Sequence, residues 1–239
     1  MLKMGVLRVT STKKPPIRHK INIRSPWLAE LGFIPGGAVF ASPEQDGFTL
    51  TLQNATQNIA QGNACGNGKL IHVGAERIDK KPALSLNFAN NFATTGLSGG
   101  DFLIAQYQYG LITARKIPDV QKCYIVDARN HGPYLRLNGA WLSDIGFSLD
   151  SIVTADISRD FIILRLWDDP AATYDDIVKF ARPNKLQVLQ AQKNQHITFI
   201  DLDAHILERA GLESGDICGI CHKYGAFTLF KPDLKKLGF

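Results

Sequence analysis

The chain has 239 residues, of which 45% are hydrophobic and 21% charged, a composition typical of a soluble globular protein with one large or two small domains. It contains no apolar run of roughly 18 residues, so we expect no membrane span, and its start lacks the apolar segment of a secretory signal. Four cysteines are too few for a disulfide framework in a chain of this length, which favours a reducing, cytoplasmic location. The formal net charge of +5 permits an anionic partner.

The positive charge is concentrated near the N-terminus. Between Met1 and Ala29 there are seven basic side chains and no Asp or Glu: Lys3, Arg8, Lys13, Lys14, Arg18, Lys20 and Arg24. A basic arm of this kind is typical of nucleic-acid binding, and its alternative interpretation is a solvated, solubilising face.

Four segments of the chain share one pattern: residues 21–52, 84–114, 135–166 and 199–230. Each begins with an alternating apolar stretch, which predicts a strand, and continues with a short helical stretch that a glycine ends. These glycines are Gly32, Gly96, Gly146 and Gly211, and an apolar residue lies four positions before each of them, at Leu28, Phe92, Leu142 and Leu207. The spacing predicts the same strand–helix unit in every segment.

A β-hairpin is predicted after each of these helices. The hairpin turns are placed at Asp46-Gly47, Tyr109-Gly110, Arg159-Asp160 and Tyr224-Gly225, and at three of them glycine accepts a positive φ angle at little cost. A further apolar stretch precedes each segment, at residues 6–9, 70–73, 123–126 and 186–189. Each copy is therefore predicted as strand, basic loop, strand, short helix, strand, turn, strand.

The intervals between the four glycines show how the copies are related. Neighbouring glycines are 64, 50 and 65 residues apart, and alternate glycines are 114 and 115 apart, which indicates that a pair of copies was duplicated. One copy is too small to bury its apolar face alone, whereas two can close a shared barrel. We therefore predict a mainly β protein with short helices, in which residues 1–118 and 119–239 form two pseudo-dimeric barrels, and which is a monomer with internal pseudo-symmetry.

The third copy resembles the core motif of the SymE-like toxin family. The matching positions are Pro133, Leu135, Leu137, Gly139, Trp141, Leu142, Gly146 and Phe147. The first copy matches through Ile21, Ile23, Trp27, Leu28, Gly32 and Phe33. That family is grouped with the AbrB/MazE-type swapped-hairpin proteins, so the resemblance implies an AbrB-like swapped-hairpin β-barrel for each pair of the four internal repeats.

The resemblance also implies a function. SymE-like proteins bind nucleic acid, so we expect DNA or RNA to be bound mainly through phosphate contacts, with the role of a toxin in a toxin–antitoxin system. Two alternatives stay open: an AbrB/MazE-type antitoxin or regulator that binds a protein partner, and a ribonuclease. Endoribonuclease activity is suggested by the resemblance alone, because no spacing in the sequence indicates an acid–base pair.

Basic residues flank the first hairpin loop in AbrB-type relatives, and basic groups occupy the corresponding places here. The predicted nucleic-acid-binding residues are Lys13, Lys14, Arg18, Lys20, Arg24, Arg77, Lys80, Lys81, Arg129, Arg136 and Lys193. Phosphates attract such cations, and the released counterions make the affinity fall steeply with salt. Nothing in the sequence marks a base-reading helix.

The string Cys218-Gly-Ile-Cys221-His222 has the spacing of a c-type haem attachment site. Its place in the fourth copy is a strand, in which residues three apart lie on opposite faces, so the two thiols cannot serve one haem or one metal. We predict that Cys218 is a buried structural thiol, and we predict no cofactor.

Two further groups of residues have structural interpretations. Asp201, Asp203, His205 and Glu208 crowd the fourth copy, but the other copies lack such a set, so we interpret them as solvated charge with Asp203 as a helix cap and predict no metal site. Trp27 and Trp141 occupy equivalent positions and are predicted to cover the core rather than to stack on bases.

Overall fold

Two compact units make up the protein. The computed structural model describes residues 3–12, 19–53, 68–75, 81–87, 95–169, 171–194 and 197–239. The first unit contains residues 1–118 together with 233–239, and the second contains residues 119–232. The repeat pattern places 233–239 in the second domain, whereas the structure places them in the first unit. These residues continue no strand of the fourth copy and form a turn of their own, in which the Phe239 N–H donates to the Leu234 carbonyl. The repeat pattern therefore carries no information about where they pack.

The described residues of the first unit form two antiparallel sheets and a short helix. Its elements are β1 (Lys3–Arg8), β2 (Thr10–Ser11), β3 (His19–Arg24), α1 (Trp27–Glu30), β4 (Ala38–Glu44), β5 (Gly47–Leu52), β6 (Lys69–His72), β7 (Gly74–Ala75), β8 (Pro82–Asn87), β9 (Phe102–Gln108) and β10 (Leu111–Lys116). The strands form a six-stranded sheet in the order β1-β9-β10-β5-β4-β6 and a four-stranded sheet in the order β2-β3-β8-β7.

The second unit repeats this arrangement strand for strand. Its elements are β11 (Lys122–Ile125), β12 (Asp127–Arg129), β13 (Gly132–Asn138), α2 (Ala140–Asp144), β14 (Ile152–Ser158), β15 (Phe161–Leu166), α3 (Tyr174–Ala181), β16 (Gln187–Gln190), β17 (Gln192–Asn194), β18 (Ile197–Leu202), α4 (Ala204–Arg209), β19 (Ile217–Lys223) and β20 (Ala226–Phe230). The sheets have the orders β11-β19-β20-β15-β14-β16 and β12-β13-β18-β17. The prediction of a mainly β protein with short helices is confirmed. The predicted closure into barrels is not seen: all four sheets are open in the part of the chain that the structure describes.

Strands are exchanged between the two halves of each unit. In the first unit β1 pairs with β9, from the second half, while β6 pairs with β4, from the first half. The hairpins of the two halves meet through β5 and β10, and β3 pairs with β8. The second unit has the same four pairings between β11 and β19, β16 and β14, β15 and β20, and β13 and β18. Each half therefore completes its sheets with strands of the other half.

A repeated pair of backbone hydrogen bonds fixes this exchange at the bend between the first two strands of each half. The Val9 N–H donates to the Asp101 carbonyl and the Gly100 N–H donates to the Val9 carbonyl, each at 2.9 Å. The same reciprocal bonds join Val73 to Gly36 and Gly37, Val126 to Gly215 and Asp216, and Ala191 to Asp150 and Ser151. The four bend residues are buried, so these bonds satisfy backbone groups that water cannot reach.

Each unit has its own hydrophobic core. The inward face of β3 contributes Ile21 and Ile23 to the first core, and the alternate residues point outward. Leu135 and Leu137 of β13 have the corresponding places in the second core. Burying such side chains supplies roughly 25 cal/mol per Å² of apolar surface and is the main source of stability of both units.

The predicted glycines end the short helices as expected. Gly32, Gly146 and Gly211 follow α1, α2 and α4 with φ angles of 88°, 97° and 70°. Only glycine adopts such angles without strain, and the chain then returns to the core with Phe33 and Phe147, both fully buried. The helix predicted around Phe92 in the second copy lies outside the described residues.

One hairpin turn differs in its chemistry from the prediction. The positive φ angle at the first turn, 55°, belongs to Asp46, and Gly47 is already the first residue of β5. A Cβ atom at Gly47 would collide with the Ala114 carbonyl oxygen of the neighbouring strand β10. Gly47 is thus required for the close approach of two strands and not for the turn.

Candidate nucleic-acid interface

The structure describes about half of the cations predicted to bind nucleic acid. Lys20 and Arg24 lie in β3, Lys81 precedes β8, Arg129 ends β12 and Arg136 lies in β13. The backbone of Lys193 lies in β17, opposite Thr198. Five predicted residues fall outside the described ranges: Lys13, Lys14, Arg18, Arg77 and Lys80.

In the first unit, two of the described candidate cations, Lys20 and Arg24, lie on the outward face of the four-stranded sheet. Lys20, Asn22 and Arg24 alternate with the buried residues of β3, and Asn22 and Arg24 are exposed. Across the strand pair, the Ser85 hydroxyl donates to the Asn22 side-chain oxygen at 3.0 Å. This face therefore has two cations two strand repeats apart, with the neutral pair of Asn22 and Ser85 between them, an arrangement that suits contact with a phosphate backbone.

In the second unit, the same face carries a cluster of arginine and aromatic side chains. We call it the arginine–aromatic cluster, and its members are Arg129, Tyr134, Arg136, Phe199 and Asp201. The guanidinium of Arg129 lies 3.3 Å from the centre of the Tyr134 ring, and that of Arg136 lies 4.2 Å from the centre of the Phe199 ring. Guanidinium groups stack on aromatic rings in this way because the ring face is electron-rich.

A carboxylate connects the two arms of the cluster. Arg136 donates two hydrogen bonds of 2.7 Å to the two oxygens of Asp201, and the Tyr134 hydroxyl donates a third, of 2.6 Å, to Oδ1. Burial alone would raise the pKa of Asp201, but the hydrogen bonds from Arg136 and Tyr134 outweigh it and lower the pKa below its ordinary value. The hydrogen bond to Asp201 raises the pKa of Arg136, so this pair is charged throughout the physiological range.

These contacts were not foreseen from the sequence. Asp201 is interpreted there as solvated charge, whereas it neutralises Arg136; the physical reason is that the antiparallel pairing of β13 with β18 places the two residues directly opposite each other. Tyr134 and Phe199 were not singled out. Their alternate positions in two strands were the available signal, but only the strand register places both rings beside Arg136.

The two units differ in net charge. The first unit contains 15 Lys and Arg residues against 7 Asp and Glu residues, a formal charge of +8, whereas the second contains 12 against 15, a formal charge of −3. The whole excess of positive charge therefore belongs to the first unit. Net charge sets the long-range attraction of a polyanion, so a polyanion would be attracted more strongly to the first unit than to the second.

The cysteine string does not form a ligand site. Cys218 and Cys221 both lie in β19, at positions of opposite parity, so their side chains lie on opposite faces, as predicted. Cys218 is fully buried, and burial raises the pKa of its thiol to about 12. The Cys221 thiol donates to the Asp119 carbonyl at 2.6 Å. The prediction of a buried structural Cys218 is confirmed.

Two acidic residues of the fourth copy, Asp201 and Asp203, accept hydrogen bonds within the fold. Asp203 caps α4, where its side chain accepts from the Ile206 N–H at 3.1 Å, as predicted. Within the described ranges, no three His, Cys, Asp or Glu side chains are arranged so that they could hold a metal ion.

The two equivalent tryptophans lie at the edges of the cores. Trp141 is 8% exposed and stacks on His222 with ring centres 5.3 Å apart, while its indole N–H donates to the Asn138 carbonyl at 2.9 Å. Trp27 packs on Tyr107 with ring centres 4.4 Å apart. Both serve packing rather than an open stacking platform, as predicted from their position.

Comparison with known proteins does not place the chain in a family. No family profile and no curated protein matches it. Among solved structures it is similar to the pol III beta protein of Caulobacter crescentus, with 10% identity over 95% of this chain and 57% of that chain, at a TM-score of 0.14. A DNA polymerase sliding clamp from the same organism gives 10% identity over 95% and 56%, also at 0.14. The chain thus spans just over half the length of these structures, and a similarity this weak supports no conclusion about fold or function.

Among the helices that the structure describes, none has the length and apolar character needed to cross a bilayer.

Proposed function

We propose that the protein binds DNA or RNA, mainly through contacts of the first unit with phosphates, as a SymE-like protein built from two AbrB-like swapped-hairpin units. The observation that carries the proposal is the combination of a first unit with a formal charge of +8 and the outward face of its four-stranded sheet, on which Lys20 and Arg24 lie on either side of Asn22 in β3. Cations fixed in register on a strand can each neutralise a phosphate and release a counterion.

The exchange of strands within each unit supports the swapped-hairpin part of the proposal. The first strand of each half pairs with the hairpin of the other half, and the reciprocal hydrogen bonds at Val9, Val73, Val126 and Ala191 recur at four equivalent positions. Two such halves in one chain would take the place of the two subunits of a dimer. The cations on one face of such a unit would then displace the counterions of a nucleic acid without a second subunit.

A salt-dependent binding measurement tests the proposal. We expect the full chain to bind fluorescently labelled single-stranded DNA and RNA of about 20 nucleotides at low salt, with an affinity that falls steeply between about 50 and 200 mM salt. The double variant Lys20→Ala with Arg24→Ala is expected to weaken binding about tenfold or more and to reduce the slope of log affinity against log salt by about 2.

The matched control removes the same charge from the other unit. Lys223→Ala with Arg159→Ala changes two exposed cations of the second unit and is expected to leave the affinity within about twofold of the parent. The proposal fails if the full chain retains none of the labelled strands at low salt. Its assignment to the first unit fails if both double variants weaken binding equally, because net charge alone would then explain the affinity.

A further inference from the structure

The arginine–aromatic cluster has a free planar surface. Arg129 is an exposed residue at the end of the edge strand β12, and its guanidinium stacks on Tyr134 with one face. The residue as a whole is exposed, so the face of the plane that Tyr134 does not cover is the one that a ligand could contact. The ring of Tyr134 holds that plane in one orientation, so binding a ligand would cost the Arg129 side chain less conformational entropy.

The fold itself does not require this cluster. In the first unit the equivalent strands β3 and β8 pair in the same way, with Asn22 and Ser85 opposite each other and no aromatic ring on the outward face of the described strands. The same sheet order is therefore built with a neutral polar pair in place of Arg136 and Asp201. In the described strands of the first unit the cluster has no counterpart, so strand pairing does not require it.

The charges around the cluster select the kind of ligand. Asp201 already accepts three hydrogen bonds from Arg136 and Tyr134, so it leaves little of Arg136 for a second anion. The surrounding unit has a formal charge of −3, so any attraction of a nucleic acid to this face has to come from its bases and not from its phosphates. A flat, uncharged ring system meets neither obstacle, and guanidinium planes are a frequent stacking partner of nucleic-acid bases.

From this geometry we infer that the arginine–aromatic cluster of the second unit stacks on an unpaired base, with Arg129 as the contacting plane, so that the ligand is a single-stranded rather than a duplex nucleic acid. The inference rests on the proposed function. Bases in a duplex stack on one another and present only their edges to a protein surface, so they cannot place a flat face on Arg129.

The test separates bases from phosphates. Binding of the full chain is measured by fluorescence anisotropy at one salt concentration with three labelled probes of equal length: a single strand, its duplex, and an abasic strand that keeps the phosphates without the bases. We expect the single strand to bind about tenfold more tightly than the abasic strand. Equal affinity for the two strands, or tighter binding of the duplex, would overturn this inference while leaving the proposed function standing.

A charge-conserving substitution then tests whether Arg129 causes the preference for the strand with bases. Arg129→Lys keeps the positive charge and removes the plane, so it is expected to abolish the preference for the single strand over the abasic strand and to leave binding of the abasic strand within about twofold. Arg159→Lys, at an exposed turn of the same unit, is the matched control and should leave the preference intact. If Arg129→Lys retains the full preference, the stacking role is refuted. If no probe binds at low salt, the proposed function falls together with this inference.

Discussion

The first and second units have one strand order but different surfaces. The first has a formal charge of +8 and a small sheet whose outward face shows Lys20, Asn22 and Arg24, whereas the second has −3 and the arginine–aromatic cluster at the same place. Both units bury apolar residues at equivalent strand positions, and both have glycines after the helices and reciprocal hydrogen bonds at the bends. The comparison shows that the interior of this fold is constrained while its outward faces are free to acquire different chemistry.

The largest expected effect comes from removing a buried ring, which tests whether the two units unfold independently. Phe33→Ala and Phe147→Ala each remove a fully buried ring at the same position after a helix, so each is expected to lower the free energy of unfolding by about 3–5 kcal/mol. Because the two core clusters share no residue, hydrogen exchange should rise in peptides of the affected unit only. Equal acceleration in both units after either substitution would show that the units unfold as one.

A smaller effect tests a position at which the two units differ. Gly47→Ala places a methyl group against the Ala114 carbonyl oxygen, so it is expected to cost about 1–3 kcal/mol of stability in denaturant unfolding. The equivalent residue of the second unit is Phe161, which is 38% exposed, and Phe161→Ala should cost about 1 kcal/mol or less. A neutral Gly47→Ala would mean that β5 and β10 can separate without loss.

The smallest effect is the pH dependence of the Asp201 contacts. Its pKa is lowered in the folded protein, so its contribution to stability is complete above the ordinary carboxyl pKa of about 4 and is lost as the pH falls through the lower folded value. Asp201→Asn should therefore cost about 1 kcal/mol at neutral pH, a modest amount because the site is partly exposed, and little at about pH 2. Thermal unfolding across this pH range measures it.

The first unit provides the control for that titration. Asn22→Ala removes a neutral hydrogen bond to Ser85 at the equivalent place, so its small cost is expected to be the same at both pH values. If the Asp201→Asn penalty persisted undiminished in acid, the loss would come from packing and not from the ionised carboxylate.

The elements of this fold could be predicted because their signals are local. A glycine with a positive φ angle four residues after an apolar residue, as at Leu28 and Gly32, ends each of these helices. The alternation of apolar and polar residues around Leu135 and Leu137 indicates a buried strand face. The burial of Cys218 followed from its place in the repeat in the same way. Local periodicity is sufficient for such conclusions.

The contacts of the candidate site could not be predicted because they depend on register between distant segments. Arg136 and Asp201 are opposite each other only through the pairing of β13 with β18, and a shift of one residue would turn both side chains to the other face. The role of Gly47 was missed for the same reason, since the carbonyl that a Cβ would strike belongs to Ala114. The resemblance to SymE-like proteins, likewise, remains a prediction.

The exchange of first strands has a consequence for synthesis of the chain on the ribosome. Leu7 of β1 pairs with Leu103 of β9, so β1 acquires this neighbour only after about a hundred further residues have been added. Tyr124 of β11 waits in the same way for Cys218. During that interval each nascent strand is an unprotected edge, and pairings so distant along the chain form slowly, so this interval is when the growing polypeptide most needs shielding from its neighbours.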